Sequence, residues 1–89
     1  MIDRKSVSKE DLRRAEALVK NVLAYKLAEK GDHGMKSSHE IFGLVTEEYN
    51  ELAEAIHIND PEALKSELVD LAVACLIGIA SINAKTIDW

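Results

Sequence analysis

Two stretches of this 89-residue chain carry acids in a pattern that can do chemistry: "EEYNELAEAI", residues 47 to 56, and "ELVDLAVACL", residues 67 to 76. In each, carboxylates stand three residues apart, Glu48 with Glu51 and Glu67 with Asp70, and that spacing places two side chains on one side of a helix. An ionised carboxylate taken out of water costs several kcal/mol unless it is paired. Between Ser37 and Ala84 there are nine acids and a single basic side chain of the Lys or Arg type, Lys65, which a helical wheel turns away from Glu67. The counter-charge is therefore expected from outside the chain, as a divalent cation. Ligation by carboxylate oxygens alone selects a hard ion, Mg²⁺ or Mn²⁺. An EExxE run by itself is common on solvated helices. Two acid pairs, each set in an apolar stripe and joined by a turn that starts on Pro, point to a metal site. No Ser or Cys with an adjacent base offers a nucleophile.

The elements that must position these acids are three helices. The composition is rich in Ala, Leu, Ile, Glu and Lys with one Pro, which favours helix over sheet. Ser8 with Asp11 forms a capping box, and Leu12, Ala15, Val19, Val22 and Leu23 follow at helical spacing until Gly31 ends the helix after Lys30. "GDHGMK" is a loop. Ser37 with Glu40 reads as a second capping box, opening a helix to about Ile58. Asp60 suits an N-cap and Pro61 the first position of a third helix, which runs to about Asn83. At about 100° per residue the second helix has a stripe of Ile41, Leu44, Val45, Leu52, Ala55 and Ile56. Glu48 falls within it and Glu51 at its edge, while Glu47 and Glu54 face solvent. On the third helix Glu67 projects beside Leu71, Ala74 and Gly78, with Asp70 adjacent.

From Leu68 to Ile82 the third helix is apolar nearly all round, and such a helix must be covered on every side. Two partner helices cannot do this in so short a chain, so the expected architecture is all-α: one domain over residues 1–89, a three-helix subunit forming a helical bundle by oligomerisation, as a homodimer or homotetramer. The net charge of −5 is unevenly spread: residues 1–36 hold nine Lys and Arg against six acids, +3, and residues 37–89 hold two against ten, −8. The acidic part argues against a nucleic-acid partner. The apolar run is too short to span a membrane comfortably and carries Asp70. The N-terminus lacks the apolar segment of a signal peptide, and the single Cys75 reads as a buried thiol, so a reducing cytoplasmic location is expected.

"EEYNE" followed by "ELVD" resembles the EExxE…ExxD signature of the MazG-like all-α nucleoside triphosphate pyrophosphohydrolases. "SSHEIFGLVTEEYNELAEAI" is similar to their short phage- or mobile-element-type members. The resemblance covers about residues 37 to 80. It implies that Glu48, Glu51, Glu67 and Asp70 ligate Mg²⁺, and that a (deoxy)nucleoside triphosphate is hydrolysed to monophosphate and pyrophosphate, in nucleotide-pool house-cleaning. Glu47 matches the first Glu of the signature, with its role left between second-metal ligand, water-orienting base and neither. The implied cation bridges phosphate oxygens, offsets developing charge and lowers the pKa of the attacking water.

Lesser candidates for substrate binding are Lys36, Ser38 and His39, at the start of the second helix where backbone amides favour an anion. Tyr25, Phe42 and Trp89 are candidates for stacking on a base, and His33 reads as solvated. Two rival functions stand beside the hydrolase. "EAIH", Glu54 to His57, matches the Glu-x-x-His of di-iron bundles, but the wheel turns both residues to water. The other rival is a non-enzymatic helical interaction module with a charged face. Phosphoribosyl-ATP pyrophosphatase, a cousin in the same superfamily, lacks the support of an alanine-rich second motif here.

Overall fold

In the computed structural model, which describes residues 4–88, the chain folds into α1 (Lys9–Lys30), α2 (Ser38–Ile58) and α3 (Pro61–Asn83). Each helix starts where a short polar side chain replaces a missing backbone partner. Ser8 accepts from the Asp11 N–H at 3.0 Å, and the Asp11 carboxylate accepts from the Ser8 N–H at 3.0 Å, a complete capping box. Ser37 accepts from the Glu40 N–H at 3.1 Å. The expected second half of that box differs, because the Glu40 carboxylate instead accepts from the Lys36 N–H at 3.2 Å, one residue upstream. Asp60 accepts from the Glu62 N–H, with Pro61 leading α3. The first two helices stop on positive-φ backbone: Gly31 at φ 86° closes α1, and Asn59 at φ 61° and ψ 39° closes α2. With the Asn59 cap leading straight into the Asp60 cap, α2 and α3 form a tight helical hairpin.

Helix α3 is the centre of the fold. It packs against both other helices, while α1 and α2 make no backbone approach to each other. Its buried residues are Val69, Val73, Ala74, Gly78 and Ser81, and at about 100° per residue these gather on one side. Small residues let α2 lie close: a Cβ on Gly78 would stand 3.2 Å from Ile41 Cγ2, and Ala55 of α2 is itself buried. That close approach brings the acid-bearing faces of the two helices within reach of one another.

The opposite side of α3 is uncovered. Leu68, Cys75, Ile79 and Ile82 are exposed, and with Ala72 they are spaced alternately four and three residues apart, the pattern of a coiled-coil seam. The expectation of a buried Cys75 is therefore corrected: two helices cover one side of α3, and the thiol lies exposed on the other. A second apolar strip, Phe42, Tyr49 and Ile56, is exposed on the outer side of α2 at 59% or more, so Ile56 does not join the stripe expected for it. In α1 the inward positions are Leu18, Val19, Val22 and Leu23, whereas Leu12 and Ala15 are exposed, because α1 reaches α3 with its later turns. No described helix is long and apolar enough to cross a membrane.

The loop between α1 and α2 is fastened to the end of α3. The Ser81 hydroxyl, 2% exposed, accepts from the Met35 N–H at 3.0 Å and donates to the Ile77 carbonyl at 2.8 Å. Thr86 Oγ1 donates to the Met35 carbonyl at 2.6 Å, and the Asp88 N–H donates to the Lys36 carbonyl. Gly34 is required there, since a Cβ would stand 2.5 Å from Thr86 Oγ1. Ser81→Ala leaves the buried Met35 N–H without its partner and is expected to cost about 1–3 kcal/mol, read as a lowered denaturant midpoint at an unchanged m-value. No change in the midpoint would mean that the loop is held by Thr86 and Asp88 alone.

Candidate metal centre

Glu48 and Glu51 descend from α2, and Glu67 and Asp70 rise from the start of α3. Each pair is separated by three residues along its helix, and the antiparallel hairpin sets one pair against the other. A ligand oxygen from each of the four lies within 4.8 Å of the ligand oxygens of the others. Glu48, Glu67 and Asp70 are half-buried. Glu48 Oε2 and Glu67 Oε2 are buried without a hydrogen-bond partner. Two buried carboxylate oxygens with no hydrogen-bond partner in the chain, set in a group of like charges, could be satisfied by a cation. The donor set is all carboxylate oxygen, which fits a hard divalent cation.

Electrostatics follow from this crowding. Burial pushes the Glu48 carboxyl above the ordinary glutamate range, and the nearby Glu51 and Asp70 push it further. Burial also raises Glu67, with Glu51 and then Asp70 adding to it. A raised folded-state pKa means that the folded protein binds protons more tightly than the unfolded chain, so this contribution to stability is present at low pH and is lost as pH rises through the folded pKa values. The metal-free protein is accordingly expected to melt higher at a mildly acidic pH than at a mildly alkaline one. Saturating Mg²⁺ should reverse the order, because ligands must be deprotonated. Melting curves at the two pH values, with and without Mg²⁺, test this; a metal-free protein that melts lower at the acidic pH would contradict it.

One positive group does reach the cluster. Lys26 Nζ of α1 lies 3.4 Å from Asp70 Oδ1, both side chains being mostly buried. The expectation that no cation of the chain answers these acids is corrected here. The acidic segment from Ser37 to Ala84 holds only Lys65, but packing brings Lys26 of α1 against α3. The signal was present: Lys26 continues the inward positions Val19, Val22 and Leu23 by one turn. Next to the acids a cavity of about 210 Å³ opens between the helices. Glu48, Asp70, Lys26, Lys30 and His33 give it polar walls, and Leu44, Met35, Val73 and Ile77 give it apolar ones. His33 thus belongs to the cavity, where the glycine loop had suggested only a solvated side chain.

A sequence model of the MazG nucleotide pyrophosphohydrolase domain matches residues 36–88, well over half of the chain. The chain belongs to the MazG family. No curated protein and no solved structure gives a significant match. MazG-family enzymes are metal-dependent nucleotide pyrophosphohydrolases; in this member the matched segment contains both acid pairs, all of α2 and α3, and none of α1.

The remaining candidates separate in space. Glu47 is exposed and stands outside the group of four ligand atoms. Lys36 and His39 are exposed and Ser38 half-buried, and none of the three lines the cavity beside the acids, whose wall at that end is Glu40. Tyr25 and Phe42 are about two-thirds exposed and also lie outside it. Trp89 lies outside the described residues. Glu54 and His57 are exposed and do not join the cluster of four acids.

Proposed function

We propose that this MazG-family chain is a Mg²⁺-dependent nucleoside triphosphate pyrophosphohydrolase, converting a (d)NTP and water to the (d)NMP and pyrophosphate, with Mn²⁺ able to replace Mg²⁺ and with nucleotide-pool house-cleaning in the cytoplasm as its role. The observation that carries this reading is the pair of buried, unpartnered oxygens of Glu48 and Glu67 in the four-acid cluster. Glu48, Glu51, Glu67 and Asp70 hold the cation. When bound, the cation supplies the positive charge without which a polyanionic triphosphate cannot approach four carboxylates, and it offsets charge developing on the phosphoryl oxygens.

The other roles fall to the chain's own groups. The cavity beside the cluster takes the nucleoside, with Leu44, Met35, Val73 and Ile77 offering apolar contact to a base. Glu47, next to the cluster on α2, is the proposed residue for orienting water. Lys36, Ser38 and His39, at the α2 N-terminus, are proposed to meet the outer phosphates rather than the reacting centre.

The active form is proposed to be a homodimer or homotetramer. Two apolar seams support this, one on the outer side of α3 and one on that of α2, together with a subunit core limited to Met35, Ala55, Val69, Val73 and Ala74 among the described residues. A core this small does not offset the conformational entropy of some eighty-odd ordered residues.

The test is a panel of canonical and modified nucleoside triphosphates, each incubated with Mg²⁺ and again with excess chelator, reading released pyrophosphate. Turnover of at least one nucleotide that vanishes with the chelator is expected. A folded protein that turns over none of them would favour the non-enzymatic interaction module.

A further inference from the structure

The family match begins at residue 36, so it assigns nothing to α1. Yet α1 delivers the one cation among the described residues that ion-pairs with a proposed ligand. Lys26 Nζ sits 3.4 Å from Asp70 Oδ1, and the two side chains are 32% and 27% exposed. Its charge also acts on Glu48 and Glu67, lowering the pKa of each against the upward push of burial and neighbouring acids. A single ammonium therefore pairs with one of the four acids and weakly offsets the charge of two others. It also lines the cavity next to the cluster, with Lys30 one turn further along α1.

Two positive charges do not share such a place quietly. A divalent ion among the carboxylates would be repelled by an ammonium a few ångströms away, in surroundings where water screens weakly. The lysine stem is flexible and its three donors are not tied to one geometry, so it can leave Asp70 by rotating along the cavity wall. There the group best matched to it is the polyphosphate. We propose that Lys26 is a built-in counter-cation: it pairs with Asp70 when the acid cluster lacks a divalent ion, competes with that ion for Asp70, and once displaced contacts the nucleotide's phosphates where they pass from the metal site to the adjoining cavity. This rests on the metal-site reading above and adds to it a residue and a direction of movement.

Removing the charge should then have two effects of opposite sign, which a purely structural ion pair would not produce. Lys26→Met keeps the stem that packs on α3. Its metal-free melting temperature should fall below that of the parent, and its dissociation constant for Mg²⁺ alone, measured calorimetrically, should tighten roughly threefold or more. With Mg²⁺ saturating, inorganic tripolyphosphate should bind the variant roughly tenfold more weakly than the parent, since a charge-assisted contact is lost. Lys26→Arg should bring both constants back towards those of the parent. If Lys26→Met does not fold, the same measurements on Lys26→Gln decide the matter. A parent that binds no divalent ion would sink the metal-site reading and this inference with it. A parent that binds Mg²⁺, alongside a folded variant whose Mg²⁺ affinity is unchanged or weaker, would overturn this inference alone.

Discussion

Glu48→Gln is expected to abolish most of the activity while leaving the metal-free protein at least as stable as the parent. Glu48 carries a buried, unpartnered oxygen, and its carboxyl is raised by burial and by Glu51 and Asp70. The amide keeps its size and removes its charge, so repulsion within the cluster falls. Without Mg²⁺ the variant should melt no lower than the parent, and it should lose most of the upward shift that Mg²⁺ gives the parent. Turnover should drop on the order of a hundredfold or more, which corresponds to roughly 3 kcal/mol of lost transition-state stabilisation. Glu54→Gln is the control, being exposed and outside the cluster, and it should change little. A Glu48→Gln protein that is less stable without metal yet turns over normally would make Glu48 a structural residue.

A charge on the outer face of α3 is expected to separate the subunits and unfold them together. Ile79 is 56% exposed and lies between Cys75 and Ile82 on the seam that begins with Leu68 and Ala72. Ile79→Glu removes about 2 kcal/mol of apolar burial per subunit and adds the desolvation of a carboxylate. Sedimentation at micromolar concentration should show the parent as a dimer or tetramer, and circular dichroism should show the variant largely unfolded. Leu76→Glu, at the edge of the same face and 41% exposed, should act in the same direction with a smaller effect. Ile77 points the other way and lines the cavity, so a charge there would report on the subunit interior. A parent that sediments as a folded, compact monomer would remove the basis for a shared bundle.

The helices and the four acids were legible because local rules decide them. The Ser8, Ser37 and Asp60 caps, the Gly31 stop and the Pro61 start are short-range chemistry, and all appear where the spacing put them. The grouping of Glu48, Glu51, Glu67 and Asp70 followed from helical periodicity once a tight hairpin was assumed. What escaped depends on packing between segments distant in the chain. Lys26 reaches Asp70 only because α1 crosses α3, and a charge count confined to the acidic segment could not include it. The Ser81–Met35 and Thr86–Met35 bonds tie residues some fifty positions apart and leave no periodic trace. Ile56 and Cys75 read as core and are exposed, since helical periodicity marks an apolar position without saying how many partner helices cover it.

The central claim is that the acid cluster serves cleavage of a triphosphate between its α- and β-phosphates. The ³¹P spectrum of the products reads that bond directly. With the best substrate of the nucleotide panel and Mg²⁺, resonances of the nucleoside monophosphate and of inorganic pyrophosphate should grow in equal molar amounts as the triphosphate resonances decay. Nucleoside diphosphate accompanied by orthophosphate would place the cut at the wrong bond and contradict the account.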